Sequence, residues 1–385
     1  MTIRLFDKDS HQKEFTARVL SCHPAKKGYA VQLDQTAFFP EGGGQSADTG
    51  FLNEIPVWDV QEHEGIITHF TDAPLECDAI VTGRLNWEER FRKMQNHSGE
   101  HIISGLIHRR FGLENVGFHL GNDDITMDYN GVLTREQLDE IEWQANLAVA
   151  QNLPITATYP PAEDLPHMEY RSKLDLTENV RIVTIEGYDA CACCAPHLTR
   201  TGEIGLIKIL DFIHYKGGIR VHLQCGLDAL LDYRKKYENI ARIAQSLSAK
   251  QHEAAQAVAN LQAELETQKA QLTAWKKRLA DLCLRQLTPT DRNLCLFEEW
   301  DVNTLRYWVN GAMEFTPGLC CAFCGNDTDG YRYVIGSRTV PLRAKSKEFH
   351  QALSGKGGGT DQMIQGSFPA TRQQIEDFFA GKVNE

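Results

Sequence analysis

The chain has 385 residues, of which 42% are hydrophobic and 24% are charged. This length exceeds one ordinary core and predicts two or three domains. The formal net charge of −12 excludes a protein that coats nucleic acid non-specifically over its whole surface. The sequence contains no apolar run near the roughly 20 residues of a membrane helix, and its charged start lacks a signal peptide. We therefore expect a soluble, cytoplasmic protein with reduced cysteines.

The charge is distributed unevenly along the chain. Residues 1–226 carry 20 basic and 33 acidic side chains, a net of −13. Residues 227–285 carry 10 basic and 7 acidic side chains, a net of +3, and residues 286–385 carry 10 and 12. The spacing of apolar residues changes after residue 226, where the charge also changes. We predict four segments, with boundaries at 1–90, 91–226, 227–287 and 288–385.

The first segment is rich in predicted strands, because short alternating stretches such as EFTARVLSC and YAVQLD are separated by Gly, Pro, Asn and Asp. A glycine-rich loop, AFFPEGGGQSADTG, lies between the second and third of them. Gly42, Gly43 and Gly44 allow positive φ or a close approach of the backbone to a partner. A flexible turn is the alternative interpretation.

The second segment begins with a helical pattern from Glu88, for which Gly112 is a plausible C-cap. Another helix is predicted from about Thr134 to Gln151, where Thr134 and Gln137 form a capping-box pattern. Strands such as VRIVTIEG follow, and then a cysteine cluster. Strands followed by a mixture of helices and strands predict an α+β fold class.

The third segment contains no Gly and no Pro. Apolar residues recur in steps of three and four, which predicts one long coiled-coil helix over 227–287. The core positions are Tyr233, Tyr237, Ile240, Ala244, Leu247, Gln251, Ala254, Val258, Leu261, Leu265, Gln268, Leu272, Trp275, Leu279 and Leu282. We see no turn signal for the alternative, a helical hairpin within one chain, and therefore predict a homodimer.

The fourth segment is predicted to be a small α/β domain. It contains a basic stretch followed directly by GKGGGTDQMIQG. Basic residues beside a triple-glycine loop indicate a surface that binds phosphate, although the loop lacks the GK[ST] of a Walker motif. The basic residues are Arg338, Arg343, Lys345, Lys347 and Lys356.

Two residue pairs predict a metal centre. His97 and His101 are four apart on the predicted helix and share one face, and Cys193 and His197 form a C-x₃-H pair. Imidazole and thiolate ligands suit Zn²⁺, and two pairs fill a tetrahedral shell. Cys191 or Cys194 could substitute for Cys193, although only Cys193 has the four-residue step to His197.

These motifs resemble a known family. HSGEH at 97–101 and CCAPH at 193–197 are similar to the zinc motifs of the alanyl-tRNA synthetase editing domain. FFPEGGGQSADTG at 38–50 and RTGEIGLIKI at 200–209 resemble two further stretches of that domain. LSGKGGGTDQMIQG at 353–366 is similar to the C-terminal glycine-rich motif of the synthetase. The order of the five motifs resembles the long form of the free-standing AlaX editing proteins.

The resemblance implies a trans-editing hydrolase that deacylates misacylated tRNA(Ala), chiefly seryl-tRNA(Ala) with glycyl-tRNA(Ala) as a second substrate. It implies a β-rich subdomain packed on an α+β zinc-binding editing subdomain, whose zinc is held by His97, His101, Cys193 and His197. It also implies that the coiled coil and the fourth segment provide dimerisation and tRNA contact, the latter with the five basic residues above.

Further residues are assigned beside the zinc. We expect Gln45 and Glu100 to lie near the reacting ester as catalytic residues. The glycines at 42–44 would shape the substrate pocket, together with Phe118 and His119, which stand where many family members have a Gln-containing stretch. Glu100 is itself a departure, because many members have a small hydroxylated or apolar residue before the second zinc histidine.

Two other functions compete with editing. HSGEH also fits H-x-x-E-H, the inverted zincin pattern, in which Glu100 would be the general base of a metallopeptidase. That class normally uses a carboxylate as its third ligand and keeps a position open to water, whereas a Cys-His pair would complete the shell here. The second alternative is a tRNA-binding module that contains zinc but has lost its activity.

Overall fold

The computed structural model describes residues 1–121, 125–172 and 178–380. The chain divides into two compact units, Met1–Ile240 and Ala241–Glu385. Each contains helices and strands, so the expected mixed composition, a long helix within the third predicted segment and the small C-terminal sheet are confirmed. Among the described residues, no helix combines the length and the apolar character that crossing a bilayer would require.

The first unit contains fifteen of the labelled strands and four labelled helices among its described residues. The strands are β1 Ile3–Arg4, β2 Glu14–Pro24, β3 Tyr29–Leu33, β4 Gln35–Thr36, β5 Gly50–Leu52, β6 Ile55–His63, β7 Ile66–Thr71, β8 Ile80–Leu85, β9 Asn115–Leu120, β10 Ile125–Tyr129, β11 Ile155–Thr158, β12 Ile182–Ile185, β13 Asp189–Ala192, β14 Ile207–Tyr215 and β15 Gly218–Cys225. The helices are α1 Leu5–Lys8, α2 Trp87–Phe111, α3 Arg135–Gln151 and α4 Gly226–Ser246, whose last turns continue into the second unit.

The N-terminal strands form a closed antiparallel barrel in the order β2-β3-β7-β6-β5-β8. Alternation in β2 directs Phe15, Ala17 and Val19 into the interior, while the residues between them face outward. Closure removes the exposed edges that an open sheet of this length would present. The glycine-rich loop leaves the barrel between β4 and β5.

The helix α2 follows the barrel directly and is buried along most of its length. A four-stranded antiparallel sheet, β14-β15-β10-β9, and the helix α3 pack around it. Both predicted helix ends are confirmed: Gly112 closes α2 at φ +64°, and Thr134 and Gln137 form the capping box of α3. A three-stranded sheet, β11-β12-β13, completes this part of the unit.

The second unit contains a five-stranded sheet in the order β16-β17-β18-β20-β19. Its strands are β16 Leu294–Phe297, β17 Cys320–Asn326, β18 Gly330–Gly336, β19 Lys356–Gly359 and β20 Met363–Phe368. Its helices are α5 Ala254–Arg285, α6 Val302–Ala312, α7 Leu342–Ala352 and α8 Arg372–Phe379.

The prediction of one uninterrupted helix over 227–287 is wrong. The helix α4 ends at Ser246 and α5 begins at Ala254, with a short 3₁₀ turn at Gln251–Glu253 between them. Ser248 adopts a left-handed φ of +51°, and the amide of Ala249 donates to the carbonyl of Ala244 at 2.9 Å. This closes α4 as a glycine stop would, but with a residue that gives no glycine signal.

A buried ion pair joins the glycine-rich loop to α2. Arg90 and Asp48 are 0% and 2% exposed at their side chains, and the guanidinium bonds both carboxylate oxygens. Arg90 also donates to the carbonyl of Ala37 at 2.7 Å, and Asp48 accepts from the amide of Phe39 at 2.7 Å. All of these groups lose contact with water, so each depends on the others for its partners.

Replacing Arg90 by Met should lower the free energy of unfolding by about 3–5 kcal/mol, because it leaves the Asp48 carboxylate buried without its cation. The matched control is Arg84→Met, since Arg84 pairs with Glu54 at 3.3 Å with side chains that are 49% and 91% exposed. The control should lose less than about 1 kcal/mol. Urea unfolding of both variants is the measurement, and equal losses would contradict the structural role given to the buried pair.

Candidate metal centre and active site

Three imidazoles and one thiol converge beside α2. His97 and His101 lie one turn apart on α2, while Cys193 and His197 lie in the loop after β13. One ligand atom from each lies within 4.8 Å of all the others. Only Cys193 is more than slightly exposed in this set of four. The structure therefore brings together the four ligands predicted from the sequence.

The spacing of the donor atoms fits a tetrahedral metal ion. Cys193 Sγ lies 3.6 Å from His97 Nε2 and 3.4 Å from His197 Nε2. A tetrahedral ion with Zn–N bonds near 2.0–2.1 Å and a Zn–S bond near 2.3 Å separates its ligands by roughly 3.3–3.8 Å. The donor set, three nitrogens and one sulfur, is also one that zinc prefers.

Each histidine has its other ring nitrogen occupied. His97 Nδ1 lies 2.9 Å from Gln45 Oε1, His101 Nδ1 lies 2.9 Å from Asp189 Oδ2, and His197 Nδ1 lies 3.1 Å from Ser98 Oγ. An Nδ1–H that donates to an oxygen leaves the Nε2 lone pair free for a metal. Gln45 Oε1 and the Asp189 carboxylate can only accept, so they favour this tautomer for His97 and His101. The Ser98 hydroxyl is able to accept from His197 in the same way.

Asp189 and Arg171 support His101, and neither was identified from the sequence. Arg171 binds both oxygens of Asp189, with Nε–Oδ1 at 2.8 Å and a terminal nitrogen 2.9 Å from Oδ2. Gly105 allows this approach, because a Cβ there would lie 2.3 Å from the carbonyl oxygen of Tyr188 and 2.7 Å from Asp189 Cβ. Both Asp189 and Arg171 belong to no recognisable spacing motif, so only the fold reveals their function.

The electrostatics of the cluster favour a thiolate. Burial raises the pKa of the Cys193 thiol, but the charges of His97 and His197 and hydrogen bonds from His101 and His197 bring that pKa well below its usual range. Burial and the neighbouring charge of His101 lower the pKa of His197 to about 3. Burial acts in the same direction on His101, but the hydrogen bond to Asp189 raises its pKa well above the usual value.

The glycine-rich loop forms a tight two-residue turn over the cluster. Gly42 and Gln45 exchange both backbone hydrogen bonds at 3.0 Å, with Gly43 and Gly44 between them at φ +60° and +84°. A Cβ on Gly44 would lie 2.5 Å from the carbonyl oxygen of Phe118, so the loop packs closely against β9. Gln45 is 1% exposed, and its Nε2 has no hydrogen-bond partner among the described residues.

Glu100 is buried on α2 within a hydrogen-bond network. Its Oε1 accepts from Ser104 Oγ at 2.5 Å and from Asn115 Nδ2 at 2.6 Å. Its Oε2 lies 3.9 Å from His101 Nε2, on the side of the metal ligands. Glu100 therefore lies next to the four predicted metal ligands, with one oxygen held in place by neutral donors. Its position near the reacting ester stays a prediction.

Phe118 and His119 lie on opposite faces of β9. The Phe118 ring is half-buried and 4.8 Å from the His97 ring, measured between centroids. The side chain of His119 is exposed, as the alternation of a strand requires. The structure thus places Phe118 at the cluster and directs His119 away from it.

The five basic residues of the second unit lie apart from one another along the chain and are mostly exposed. Arg338 pairs with Glu314, and Lys345 pairs with Glu348 at 3.0 Å. Lys356 begins β19, whose four residues are all exposed at one edge of the sheet. A strand edge of three glycines leaves backbone amides open to a ligand.

Known proteins with similar sequences contain the same part of the chain as this site. Residues 180–243, which include Cys193 and His197, match the family described as the threonyl and alanyl tRNA synthetase second additional domain. The alanyl-tRNA editing protein AlaX-L of Pyrococcus horikoshii is 26% identical over 98% of this chain and 97% of its own length. The mouse alanyl-tRNA editing protein Aarsd1 is 36% identical over 54% of each chain.

Alanine–tRNA ligases are also similar. That of Ignicoccus hospitalis is 31% identical over 75% of this chain but only 33% of its own length. The chain spans about a third to two-fifths of the length of such ligases. With the long editing protein matched from end to end, the chain belongs to the AlaX family of free-standing alanyl-tRNA editing proteins.

Replacing Cys193 by Ala should remove one ligand and reduce bound zinc in the purified protein to a small fraction of one equivalent. The matched control is Cys194→Ala, which removes the adjacent thiol that lies outside the cluster. That variant should keep its zinc. The zinc content of both variants is measured by inductively coupled plasma mass spectrometry. A Cys193→Ala protein with a full equivalent of zinc would contradict the ligand assignment.

Proposed function

We propose that this protein is a zinc-dependent hydrolase that cleaves the ester between a wrong amino acid and tRNA(Ala). Its chief substrate is seryl-tRNA(Ala), with glycyl-tRNA(Ala) second. The observation that carries the proposal is the buried cluster of three histidines and Cys193, next to which the glycine-rich turn lies. Related proteins are named alanyl-tRNA editing proteins, which supports an editing activity on tRNA(Ala).

The zinc would be held by His97, His101, Cys193 and His197, and when bound it would supply positive charge beside the ester. Gln45 has two functions in this proposal. Its Oε1 accepts the Nδ1–H of His97 and fixes the orientation of that ring. Its Nε2, which has no partner among the described residues, donates to the ester carbonyl oxygen, where negative charge develops.

Glu100 is the second catalytic residue that we propose. With Oε1 held by Ser104 and Asn115, the carboxylate presents Oε2 towards the metal ligands and can accept a proton from the attacking water. A peptidase would use the same glutamate, but it would need an open coordination position. The spacing of Cys193 Sγ from two histidine Nε2 atoms instead supports a shell filled by the protein.

The substrate would lie beside the glycine-rich turn, on the side where Gly42 and Gly43 approach Cys194. Gly42 and Gly43 leave the space beside Cys194 open, since their ideal Cβ positions are 3.8 and 3.5 Å from its Sγ. Phe118 forms the opposite wall, next to His97. Larger side chains in place of these glycines would narrow the pocket, and the exposed His119 would contact the nucleic acid outside it.

The basic stretch of the second unit would bind the tRNA body. Arg343 and Lys347 are exposed on α7 and form no ion pair with any described residue. Arg338, Lys345 and Lys356 extend the same segment to the glycine strand β19. Phosphate contacts of this kind supply sequence-independent affinity.

A homodimer would form through α5. Seven apolar residues lie on one stripe of this helix with the three-and-four spacing of a heptad, which the polar Gln268 interrupts once, and each is between 38% and 59% exposed. They are Val258, Leu261, Leu265, Leu272, Trp275, Leu279 and Leu282. A stripe of this length is the seam of a coiled coil, so a second copy of the chain would cover it.

The proposed activity is tested by deacylation of seryl-, glycyl- and alanyl-tRNA(Ala) with the purified zinc protein. We expect fast loss of serine, slower loss of glycine and retention of alanine. Removal of zinc with a chelator should abolish the activity, and added zinc should restore it. Binding of tRNA(Ala) without hydrolysis of any of the three esters, by protein that contains zinc, would favour the inactive binding module.

Introducing Asp at Leu265 and Leu272 should weaken dimerisation by at least about 100-fold, because two leucines that the proposed dimer would bury at its seam are replaced by like charges. The matched control introduces Asp at Ala263 and Ala270, which have the same spacing but lie off the stripe. Sedimentation equilibrium measures the dissociation constant of the dimer for the two double variants and the wild type. A double variant at Leu265 and Leu272 that stays dimeric, or a wild type that is monomeric, would contradict this arrangement.

A further inference from the structure

The middle of α4 is exposed on all sides. Every residue from 233 to 239 is exposed, and the sequence there is YRKKYEN. Tyr233 and Tyr237 are 63% and 49% exposed and stack with a centroid distance of 6.3 Å. Two large aromatic rings held in water on a helix surface indicate that another molecule covers them.

The tyrosine pair is bordered by cations. At about 100° per residue, Arg234 and Lys236 lie about 80° to either side of the pair. Arg234 and Lys235 form no ion pair with any described residue, while Lys236 contacts Asp232 at 2.6 Å. From Tyr233 to Arg242 the helix carries four basic residues and one acidic, a net of +3, whereas residues 1–226 have a net of −13.

The start of α4 is fixed directly to α2, beside the metal ligands. Asp228 accepts from Arg92 Nε and from Asn96 Nδ2, both at 2.7 Å. The amide of Leu227 donates to Gln95 Oε1 at 3.2 Å. Asn96 directly precedes His97 in α2. The start of α4 therefore contacts α2 one residue away from the first predicted metal ligand.

The same region adjoins the glycine-rich turn. The amide of Leu120 donates to the carbonyl of Gly44 at 2.9 Å, and Arg92 reaches the carbonyl of Gly121 at 3.5 Å. A chain of hydrogen bonds thus connects the turn, through the end of β9 and Arg92, to the start of α4. With a rise of about 1.5 Å per residue, Tyr233 and Tyr237 lie roughly 8 and 14 Å along the helix from Asp228.

We infer that Tyr233, Arg234, Lys236 and Tyr237 form a docking surface for RNA, which holds the nucleotides next to the reacting 3′ end. This inference rests on the proposed function. Exposed tyrosine rings offer stacking surfaces to bases or riboses, and Arg and Lys on both sides offer charges to the phosphates. The anchored start of α4 keeps this surface at a fixed distance from His97.

Charge complementarity favours RNA over a second copy of the chain on this face. The predicted coiled coil assigned Tyr233 and Tyr237 to its core, which would place Arg234 and Lys236 at the flanking positions of the seam. Coiled coils usually pair such positions with carboxylates, and here both flanks are basic. Phosphates supply the missing negative charge, whereas the apolar stripe of α5 needs none.

The surface is tested in the full-length protein with two double variants, Arg234→Gln with Lys236→Gln, and Tyr233→Ala with Tyr237→Ala. The control is Arg18→Gln with Lys26→Gln, which removes two exposed charges from the barrel. Uncharged tRNA(Ala) is the probe for binding by fluorescence anisotropy. Seryl-tRNA(Ala) and a seryl ester of the trinucleotide CCA are the probes for hydrolysis.

Both α4 variants should weaken tRNA binding about 10-fold or more relative to the control. The cation variant should also lower the slope of log Kd against log salt by about 1–2, one unit for each lost phosphate contact. The ratio of kcat/KM for the full tRNA to that for the trinucleotide should fall by a similar factor, because the trinucleotide is too short to occupy the whole surface.

Three results would overturn the inference. Binding and salt slope equal to the control would show that RNA does not contact α4. A change from dimer to monomer that accounts for the loss would assign the face to a second copy. A kcat/KM ratio that stays constant would mean that α4 acts on the ester site instead. If wild-type protein hydrolyses neither ester, the proposed function fails, while anisotropy with uncharged tRNA still tests α4.

Discussion

The burial of α2 with its polar side chains is the constraint on which the first unit depends. Arg90, Lys93, His97, Glu100 and His101 are each at most 5% exposed, although α2 as a whole has no strong apolar face. Buried charges and imidazoles are costly unless each finds a partner. The surrounding elements supply those partners: the loop at one end, the sheet on one side, and the segment that carries Cys193 on another.

The periodicity of α2 places the residues that anchor the loop and the two histidines at successive turns of one helix. Arg90 and Lys93 hold the glycine-rich loop, through Asp48 and the carbonyl of Ala47 at 2.7 Å. One and two turns later His97 and His101 project towards Cys193 from the same side of the helix. The interactions that stabilise the fold therefore also fix the distance between Gln45 and the proposed metal ligands. Stability and positioning cannot be separated here, so substitutions in this anchor should affect both.

The sequence predicted the parts of the site that carry a local pattern. The spacing of the two metal pairs, the capping box of α3 and the C-cap Gly112 each depend on neighbours within a few residues, and the structure contains all of them. Asp189, Arg171 and Ser98 have no such pattern, because they meet the histidines only through long-range packing. The end of α4 was missed for a related reason: Ser248 adopts the left-handed conformation that glycine usually signals.

X-ray absorption at the zinc edge of the purified protein tests the central claim most directly, since it reports which atoms surround the metal without relying on activity. Three histidines and Cys193 predict three nitrogen scatterers at roughly 2.0–2.1 Å and one sulfur at about 2.3 Å. A shell of nitrogen and oxygen without sulfur, or one with two or more sulfurs, would contradict the assignment of the four ligands around α2.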